Sequence, residues 1–440
     1  MSVSRLQSWG RYPYALQFPC RPGWRDGIEA ALALARERFG TTLPFGNGRS
    51  YGDSCLAATD HVLQLRGLDR FIAADWEQGV VRAEAGVTLG EVLALAVPRG
   101  WMLPVTPGTQ FVTLGGAVAN DVHGKNHHVR GTFGAHVRRF ALVRSDRGAL
   151  ECAPDENAAL FRATIGGLGL TGIVAWVEIQ LMRVGSACIT QTSVPLANLD
   201  AFLQVSAEYD AQHEYGVAWV DCLSSGAALG RGIYLAGDHA DDGDFTLPAA
   251  RRRNVPFTPP CSPVNRFTIK AFNAHYYWRH AQAARESRVD FARFFYPLDG
   301  VRNWNRMYGR RGFQQHQCVL PDAAARDALR AMLAAIAKSG AGSFLAVLKR
   351  CGTRVSPGLL SFPMPGVSLA LDFPQHERAN TLLFARLDAI VREAGGRQYP
   401  AKDAHMSGAD FRAAYPAWQT LETLRDPALM SRFWKRTTQS

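Results

Sequence analysis

Residues 46–53 read Gly-Asn-Gly-Arg-Ser-Tyr-Gly-Asp, and this stretch limits the fold more than any other part of the chain. Closely spaced glycines let successive backbone N–H groups converge on an anion, which suits a pyrophosphate, although a plain tight turn explains the same letters. The stretch lacks the Gly-Lys-Ser/Thr ending of a P-loop and does not match the Rossmann fingerprint. A nucleotide site at this loop must therefore be of another kind.

A second glycine-rich segment, PVTPGTQFVTLGGAVANDVHGKNHH, occupies residues 104–128 and is too rich in glycine for one regular element. His123 and His127 stand four residues apart, which raises the question of a metal site. Gly124 between them disfavours a helix, and the glutamate of zinc proteases does not follow His123. Histidines that hydrogen-bond loop carbonyls explain the pattern as well, and we expect no metal.

The rest of the chain alternates short helices and strands. Apolar spacing and terminal glycines predict helices over residues 26–40, 88–100, 321–340 and 378–394. Strands are predicted over residues 61–65, 79–86, 163–182, 343–351 and 367–374. Residues 248–266 are rich in proline and arginine and predict a long, flexible loop. The pattern is α+β and lacks the regular alternation of a parallel βαβ fold.

Composition narrows the class of protein. The 440 residues include 49 Lys+Arg against 38 Asp+Glu, a net charge of +11, and only six of the basic residues are lysines. Such a balance is typical of proteins that bind nucleic acid, anionic membranes or phosphorylated ligands. The basic residues are dispersed and no nucleic-acid-binding motif occurs, so we expect no nucleic acid.

The cysteines and the apolar segments indicate the cellular compartment of the protein. Eight cysteines are spread along the chain without a close pair, which argues against a disulfide framework and against a zinc finger. No stretch resembles a signal peptide or approaches 18 consecutive apolar residues. We expect a cytoplasmic protein, for which peripheral contact with the inner face of the cytoplasmic membrane stays open.

Four segments together resemble a known family. They are GNGRSYGD (46–53), PGTQFVTLGGAVANDVHGKNHH (107–128), ATIGGLGLTGIV (163–174) and RQYPAKD (397–403). In this order and at these separations they resemble the flavin oxidoreductases of the vanillyl-alcohol oxidase superfamily, which have an FAD-binding domain of the PCMH type. The likeness is greatest to the decaprenylphosphoryl-β-D-ribose 2′-oxidases, the flavin subunits of a 2′-epimerase, and it extends from residues 8–13 to 411–416.

The resemblance implies a two-domain α+β flavoprotein. Residues 1–185 are expected to form the FAD-binding domain of short strands and helices. Residues 186–396 are expected to form a substrate, or cap, domain built on an antiparallel sheet, with the flexible loop near 248–266. Residues 397–440 are expected to return to the FAD domain.

The resemblance also assigns FAD contacts. The implied cofactor-binding residues are Gly46, Asn47, Gly48, Arg49, Ser50, Tyr51, Gly52, Gly108, Thr113, Gly115, Gly116, Asn120, His123, Gly172, Val174, Tyr399 and Lys402. Many relatives carry a histidine just after the second loop glycine that bonds covalently to the flavin. Here that position is Arg49, which cannot form such a bond, so the expected FAD is non-covalent.

The implied reaction is oxidation of the 2′-hydroxyl of a polyprenyl-phosphoryl-β-D-ribose to the 2′-keto sugar, the first half of epimerisation to the arabinose form. Hydride passes to flavin N5, and a base takes the hydroxyl proton. Lys402 and His123 are the two candidates for this base, and Lys402 could instead neutralise reduced flavin or hold a substrate oxygen. The implied substrate-lining residues are Tyr51, Lys125, Trp219, Gln315, Gln317 and Lys349, each of which packing or capping would also explain.

Two further expectations come with the resemblance. A short-chain, NADH-dependent reductase would be the pathway partner that completes the epimerisation. Ala370 stands where mycobacterial members carry a cysteine, with Ser368 as the neighbouring polar residue, so the pocket differs from theirs. The alternative substrate class is a free sugar, an alditol or an aldonolactone.

Overall fold

The computed structural model describes residues 5–249, 253–282 and 284–439. Within these residues the α-helices, in chain order, are α1 (Gly27–Phe39), α2 (Leu89–Ala96), α3 (Leu114–Ala119), α4 (His127–Arg130), α5 (Ala158–Thr164), α6 (Leu199–Asp210), α7 (Arg266–His280), α8 (Phe291–Phe295), α9 (Asp322–Ser339), α10 (Glu377–Glu393), α11 (Gly408–Ala414), α12 (Trp418–Leu424) and α13 (Arg432–Thr438).

The strands of the same residues are β1 (Phe18–Cys20), β2 (Pro44–Phe45), β3 (His61–Gln64), β4 (Phe71–Asp75), β5 (Val80–Glu84), β6 (Trp101–Met102), β7 (Val137–Arg144), β8 (Gly148–Cys152), β9 (Ile173–Gln180), β10 (Met182–Arg183), β11 (Cys188–Leu196), β12 (Tyr215–Val220), β13 (Gly232–His239), β14 (Arg253–Asn254), β15 (Arg285–Asp290), β16 (Val301–Arg302), β17 (Phe313–Leu320), β18 (Ala346–Cys351), β19 (Gly366–Pro374) and β20 (Arg397–Gln398).

The four predicted helices are confirmed as α1, α2, α9 and α10, and local chemistry explains their ends. The Thr88 side chain accepts a hydrogen bond from the Glu91 N–H, and the Glu91 side chain accepts one from the Thr88 N–H. Helix α2 therefore begins at a capping box. Helix α9 ends at Gly340, which adopts the left-handed conformation that glycine tolerates best. The glycine-rich segment 104–128 nevertheless contains two short helices, α3 and α4.

Three sheets lie within the described part of the first 185 residues, the smallest of them the antiparallel pair β6-β10. An antiparallel sheet has the order β4-β5-β9-β7-β8, and a three-stranded parallel sheet has the order β1-β3-β2. Helix α3 contacts β5 and β9, so the second glycine-rich segment is anchored on the five-stranded sheet. This part of the molecule carries the glycine-rich loops on a framework of short elements.

An eight-stranded antiparallel sheet forms the rest of the framework, with the order β15-β11-β13-β12-β18-β19-β17-β20. Its two faces have different partners. On β17, His316 and Cys318 point toward α10 and α9, where they contact Asp388 and Met332. The alternate residues of this strand point to the opposite face, because side chains alternate along a strand.

The C-terminal segment joins both parts. Strand β20 pairs with β17 of the large sheet, and the chain then runs back over the N-terminal part, where Thr42 donates its N–H to Ala428. We propose that the boundary between the FAD and cap domains follows the sheets, near residue 185, and that the return to the FAD domain begins just after β20.

The predicted loop over residues 248–266 includes residues 250–252, which lie outside the described residues. Its described part contains β14, which pairs in parallel with β16, and it leads directly into helix α7. Among the described residues no helix is both long and apolar enough to cross a lipid bilayer.

Candidate active site

A cavity of about 850 Å³ lies between the glycine-rich loops and the face of the eight-stranded sheet that α9 and α10 leave free. Ligand and cofactor sites occupy about 300–1,000 Å³, so this volume is at the upper end of their range. Its walls come from both parts of the molecule. Loop residues such as Gly48 and Gly116 form one side, and strand residues such as Gln317 and Lys349 form the other.

The structure brings together every predicted site residue except Gly52. The predicted residues that line the cavity are Gly46, Asn47, Gly48, Arg49, Ser50, Tyr51, Gly108, Thr113, Gly115, Gly116, Asn120, His123, Lys125, Gly172, Val174, Trp219, Gln315, Gln317, Lys349, Tyr399 and Lys402. Gly52 lies behind them for a steric reason. A Cβ at this position would stand 1.6 Å from the carbonyl oxygen of Asp403, so Gly52 allows the first loop to touch the segment that carries Lys402.

The first loop presents backbone donors to the cavity. It is fixed on two sides, because Trp9 donates its N–H to the Ser50 carbonyl at 2.8 Å and Tyr51 donates its own to Ala401 at 3.0 Å. The N–H groups of residues 47–50 donate to no group in the described part of the chain. Gly48 has a φ of +59°, the left-handed conformation that favours glycine. Four free donors in a fixed loop are suited to binding an anion.

The second glycine-rich segment approaches this loop closely. Thr113 caps α3 by accepting a hydrogen bond from the Gly116 N–H at 3.2 Å. A Cβ at Gly46 would lie 2.5 Å from the Thr113 hydroxyl, and one at Gly115 would lie 3.0 Å from the Ala85 Cβ. Gly46 thus lets the first loop lie against the Thr113 side chain, and Gly115 lets the second segment lie against Ala85, next to β5. The Tyr399 hydroxyl then ties the C-terminal segment to the Asn120 carbonyl at 2.9 Å.

Arg49 follows Gly48 in the first loop and lies at the edge of the cavity. Its guanidinium carbon lies 4.2 Å from the centre of the Trp9 ring and 5.0 Å from that of Phe111, so the side chain is stacked between two aromatic residues. Burial lowers its pKa, while the nearby Asp299 carboxylate opposes that shift. The geometry gives Arg49 a packing and charge role at the edge of the cavity.

His123 is a buried, neutral imidazole. Its Nε2 lies 3.2 Å from the side-chain nitrogen of Gln317, and its Nδ1 has no hydrogen-bond partner among the described residues. Burial lowers its pKa well below the usual value, and the positive charge of Lys349 lowers it further. His127 does not join it in a metal site, because its Nδ1 accepts the backbone N–H of Gly352 at 3.1 Å.

The amine of Lys402 lies beside the first loop. Its Nζ lies 3.7 Å from the centre of the Tyr51 ring, and burial lowers its pKa to about 7. A neutral amine is therefore populated near neutral pH. Asp372 lies close enough to favour the protonated amine, and burial raises the pKa of this carboxyl group, which accepts a hydrogen bond from Gln315 at 2.6 Å.

Lys125 and Lys349 form a second cationic group at the cavity. Lys349 donates to the Gly124 carbonyl at 2.9 Å, and Lys125 donates to the Phe294 carbonyl. Burial lowers the pKa of Lys349 to about 8 and that of Lys125 to about 7, where the Lys349 charge adds to the effect. Two buried amines that repel one another are stabilised when an anion binds between them.

Comparison with known proteins places the chain in a family. Residues 20–153 match the family described as FAD binding domain. The chain is 32% identical over 443 aligned positions to decaprenylphosphoryl-β-D-ribose oxidase of Mycolicibacterium smegmatis, covering 97% of this chain and 95% of that protein. It is also 34% identical to an uncharacterised protein of Streptomyces coelicolor, over 77% of this chain and 95% of that one. Mouse L-gulonolactone oxidase is 28% identical over 46% of this chain and 47% of its own length.

The chain belongs to the decaprenylphosphoryl-β-D-ribose oxidase family. It is an FAD-dependent oxidoreductase with the two-part α+β fold of these flavoproteins, as the family resemblance implies. The residues present fit this cofactor. The free donors of residues 47–50 suit its pyrophosphate, and the glycines of both loops leave the close space that a dinucleotide needs.

Several cavity residues of this family member were not identified from its sequence. They are Trp9, Phe272, Tyr276, His280, Arg293, Phe294, Phe295, Asp299, Asn303, Trp304 and Phe344, with Asp372 behind Gln315. Most are aromatic and come from the cap side, where Trp219 donates its indole N–H to the Phe344 carbonyl at 2.9 Å. Clusters such as FNAHYYW and FARFFYP were the available signal, but no spacing rule tells which of their members face a cavity.

Two residues of β19 present small side chains to the cavity. Ala370 and Ser368 both line the cavity, on alternate residues of β19. Ala370 pairs with Gln317 on one side and with Val347 on the other. The smaller side chain at Ala370 leaves more room between these two strands than a cysteine would.

A histidine–aspartate cluster lies on the opposite side of β17. One oxygen of Asp388 on α10 accepts hydrogen bonds from His316 at 3.0 Å, from His405 at 3.4 Å and from Gln398 at 2.6 Å. Burial disfavours charge here, yet the carboxylate outweighs it and raises the pKa of His316 to about 9. The Asp388 carboxylate also raises the pKa of His405, and the three side chains join α10 and β17 to the segment that carries Lys402.

Proposed function

We propose that this enzyme oxidises the 2′-hydroxyl of a polyprenyl-phosphoryl-β-D-ribose to the 2′-keto sugar. The observation that supports this most is the arrangement of amines in one cavity. Lys402 lies beside the first glycine-rich loop, and Lys125 of the second glycine-rich segment approaches Lys349 of β18, with the aromatic wall next to them. The three parts of such a substrate match these three groups. Its phosphate would lie between Lys125 and Lys349, its ribose near Lys402, and its prenyl chain along the aromatic residues.

The bound FAD supplies a two-electron acceptor for the hydride that leaves the carbinol carbon. The chain supplies the proton acceptor, and we assign that role to Lys402. Its amine is neutral in a large fraction of molecules near pH 7, because burial disfavours the charge. The O–H proton moves to the Lys402 Nζ as the C–H bond breaks and the C=O bond forms.

His123 is the weaker candidate for the base. Its pKa is lowered well below that of free histidine, so the neutral ring is a poor proton acceptor. We propose that His123 and Gln317 instead position the sugar and the flavin ring, since both line the cavity next to Tyr399. Arg49 supports non-covalent FAD, because a guanidinium cannot form the covalent bond.

Two partners follow from this chemistry. Reduction of the 2′-keto group from the opposite face would give the arabinose form, so a short-chain, NADH-dependent reductase is the proposed consumer of the product. A polyprenyl substrate resides in a bilayer, so we also propose peripheral contact with the membrane.

Anaerobic stopped-flow absorbance tests the proposal. Purified enzyme should show a flavin spectrum, and the chromophore should leave the protein on acid precipitation. A short-chain, water-soluble prenyl-phosphoryl-β-D-ribose should bleach the flavin, whereas free ribose, alditols and gulonolactone should not. Bleaching by an alditol or aldonolactone alone would favour the alternative substrate class.

The base assignment is tested in the same assay. Lys402→Met should slow flavin reduction by at least about 100-fold while FAD stays bound. His123→Ala should have a smaller effect, and Lys435→Met, an exposed lysine on α13, serves as the matched control. The wild-type reduction rate should rise with pH through about 7, as Lys402 loses its proton. A Lys402→Met variant of unchanged rate and pH profile would overturn the assignment.

A further inference from the structure

One face of helix α7 is buried against the protein, and the opposite face is exposed and apolar. On the inner face of α7, Ile269 and Asn273 are buried. Phe272, Tyr276 and His280 line the cavity from the same side of the helix or its edge. This face connects α7 directly to the proposed substrate site, so the helix forms part of the cavity wall.

The opposite face is an exposed apolar stripe of Phe267, Ala271, Ala274 and Trp278. These residues follow the spacing i, i+4, i+7, i+11, which places them within about 60° of one another around the helix and along about 16 Å of its axis. Phe267 is 83% exposed and Trp278 is 67% exposed, and Phe257 in the preceding segment is 69% exposed. Four of the thirteen large exposed hydrophobic side chains in the described residues lie between residues 257 and 278.

Basic residues flank the stripe on both sides. Arg266 and Lys270 lie along one edge, Arg279 lies along the other, and all three are exposed. The sequence of α7, RFTIKAFNAHYYWRH, contains no acidic residue. Phenylalanine and tryptophan on one face, with lysine and arginine beside them, are typical of helices that lie in the interface of an anionic bilayer.

We propose that the stripe of α7 docks this enzyme on an anionic membrane and that α7 thereby places the cavity at the bilayer surface. The aromatic side chains enter the boundary between headgroups and acyl chains, while Arg266, Lys270 and Arg279 contact the lipid phosphates. The reverse face of the same helix then receives the prenyl chain. The inference rests on the proposed lipid-linked substrate.

The charge pattern favours a bilayer over a second copy of this chain. A symmetric dimer across the stripe would bring Arg266, Lys270 and Arg279 close to their own copies, because a twofold interface uses the same patch twice. Like charges at such an interface oppose association. An anionic lipid surface complements the same three residues.

Sedimentation of the holoenzyme with vesicles tests the docking face. Vesicles of phosphatidylcholine mixed with phosphatidylglycerol should bind the enzyme, and pure phosphatidylcholine should bind it several-fold less. The variant Phe267→Ser/Trp278→Ser should reduce the bound fraction about tenfold or more. Tyr14→Ser/Leu382→Ser is the matched control, since these side chains are 71% and 70% exposed elsewhere on the surface.

A charge variant tests the basic flanks separately. Lys270→Glu/Arg279→Glu should weaken binding to the anionic vesicles several-fold, and raising the salt from about 0.1 M to about 0.5 M should weaken binding of the wild type in the same way. Arg38→Glu/Lys435→Glu carries the same charge change at exposed residues of α1 and α13 and should bind as the wild type does.

Two substrates separate docking from chemistry. The stripe variant should oxidise a water-soluble, short-chain substrate at the wild-type rate but a vesicle-embedded, long-chain one at least about tenfold more slowly. Wild-type vesicle binding by the stripe variant, or a change in its oligomeric state alone, would overturn the docking face. If wild-type enzyme binds vesicles but oxidises neither substrate, the proposed function fails and the docking face stands.

Discussion

The two walls of the cavity use different groups of the chain, backbone on one side and side chains on the other. The wall of glycine-rich loops is made of backbone: free N–H groups at residues 47–50 and glycines that leave no room for a Cβ. The cap wall is made of side chains: aromatic rings from α7 and α8 and the buried amine of Lys349, which lies near Lys125 of the second glycine-rich segment. Backbone groups suit a cofactor whose shape is always the same. Side chains can be substituted, so the cap wall can be adapted to a different substrate.

The difference shows in what each wall tolerates. The first loop is closed against its neighbours at Gly52, where a side chain has no space. On the cap side, Ala370 faces the cavity from β19, whose pairing with β17 and β18 is made by the backbone and does not depend on that side chain. We therefore expect substitutions in the glycine-rich loops to disrupt the fold of that wall, and substitutions in the cap wall to change substrate binding.

The largest expected effect is at Gly52. Gly52→Ala places a methyl group about 1.6 Å from the Asp403 carbonyl oxygen, so the loop and the Lys402 segment must separate. We expect a loss of about 4 kcal/mol or more in stability and loss of bound FAD, measured by thermal unfolding and flavin absorbance. Gly67→Ala is the control, because a Cβ there meets no atom within 4 Å. Equal flavin content in both variants would contradict the close contact.

The next effect concerns the cluster behind the cap wall. Asp388→Asn leaves His316 and His405 without their carboxylate, and we expect a loss of about 3–5 kcal/mol near pH 6. The raised pKa of His316, about 9, means that its contribution is complete below pH 6.5 and is lost as the pH rises toward 9. The stability difference between wild type and variant, from urea unfolding, should therefore shrink over that range.

Asp410→Asn is the matched control for this prediction. Asp410 pairs with Arg392 at the surface, where an ion pair contributes about 1 kcal/mol or less. A pH-independent difference for Asp388→Asn would show that the histidines are neutral in the folded protein.

A smaller effect is expected at Lys349. Lys349→Met keeps the length of the side chain and removes its charge from the cap wall. We expect KM for a prenyl-phosphoryl ribose to rise about 10–100-fold, the value of one charge-assisted hydrogen bond to phosphate, with kcat much less affected. FAD content should stay at the wild-type level, because Lys349 lies on the sheet side. A change in flavin content with unchanged KM would place Lys349 at the cofactor instead.

The sequence allowed one wall to be predicted far better than the other. Gly40 and Gly340 marked the ends of α1 and α9 correctly, whereas α2 ends at Ala96, before Gly100. The glycine-rich segments located the loops of the backbone wall. Asp372 was missed because its approach to Gln315 depends on the pairing of β19 with β17, which no local pattern reveals. Helix α7 was missed because it buries a polar residue, Asn273, and exposes Phe267 and Trp278, so it lacks the single buried apolar stripe that identifies a surface helix.

The smallest effect compares two capping boxes, Thr88 on α2 and Asn265 on α7. Each cap stabilises its helix by about 1 kcal/mol. Helix α2 buries four of its residues in the core, so Thr88→Ala should lower the global free energy of unfolding by that amount. Helix α7 buries only two, so Asn265→Ala should leave the global value unchanged and speed hydrogen exchange of α7 amides about fivefold. An equal loss of global stability for both variants would show that α7 unfolds only together with the core, as α2 does. The membrane-docking helix would then have no local motion independent of its domain.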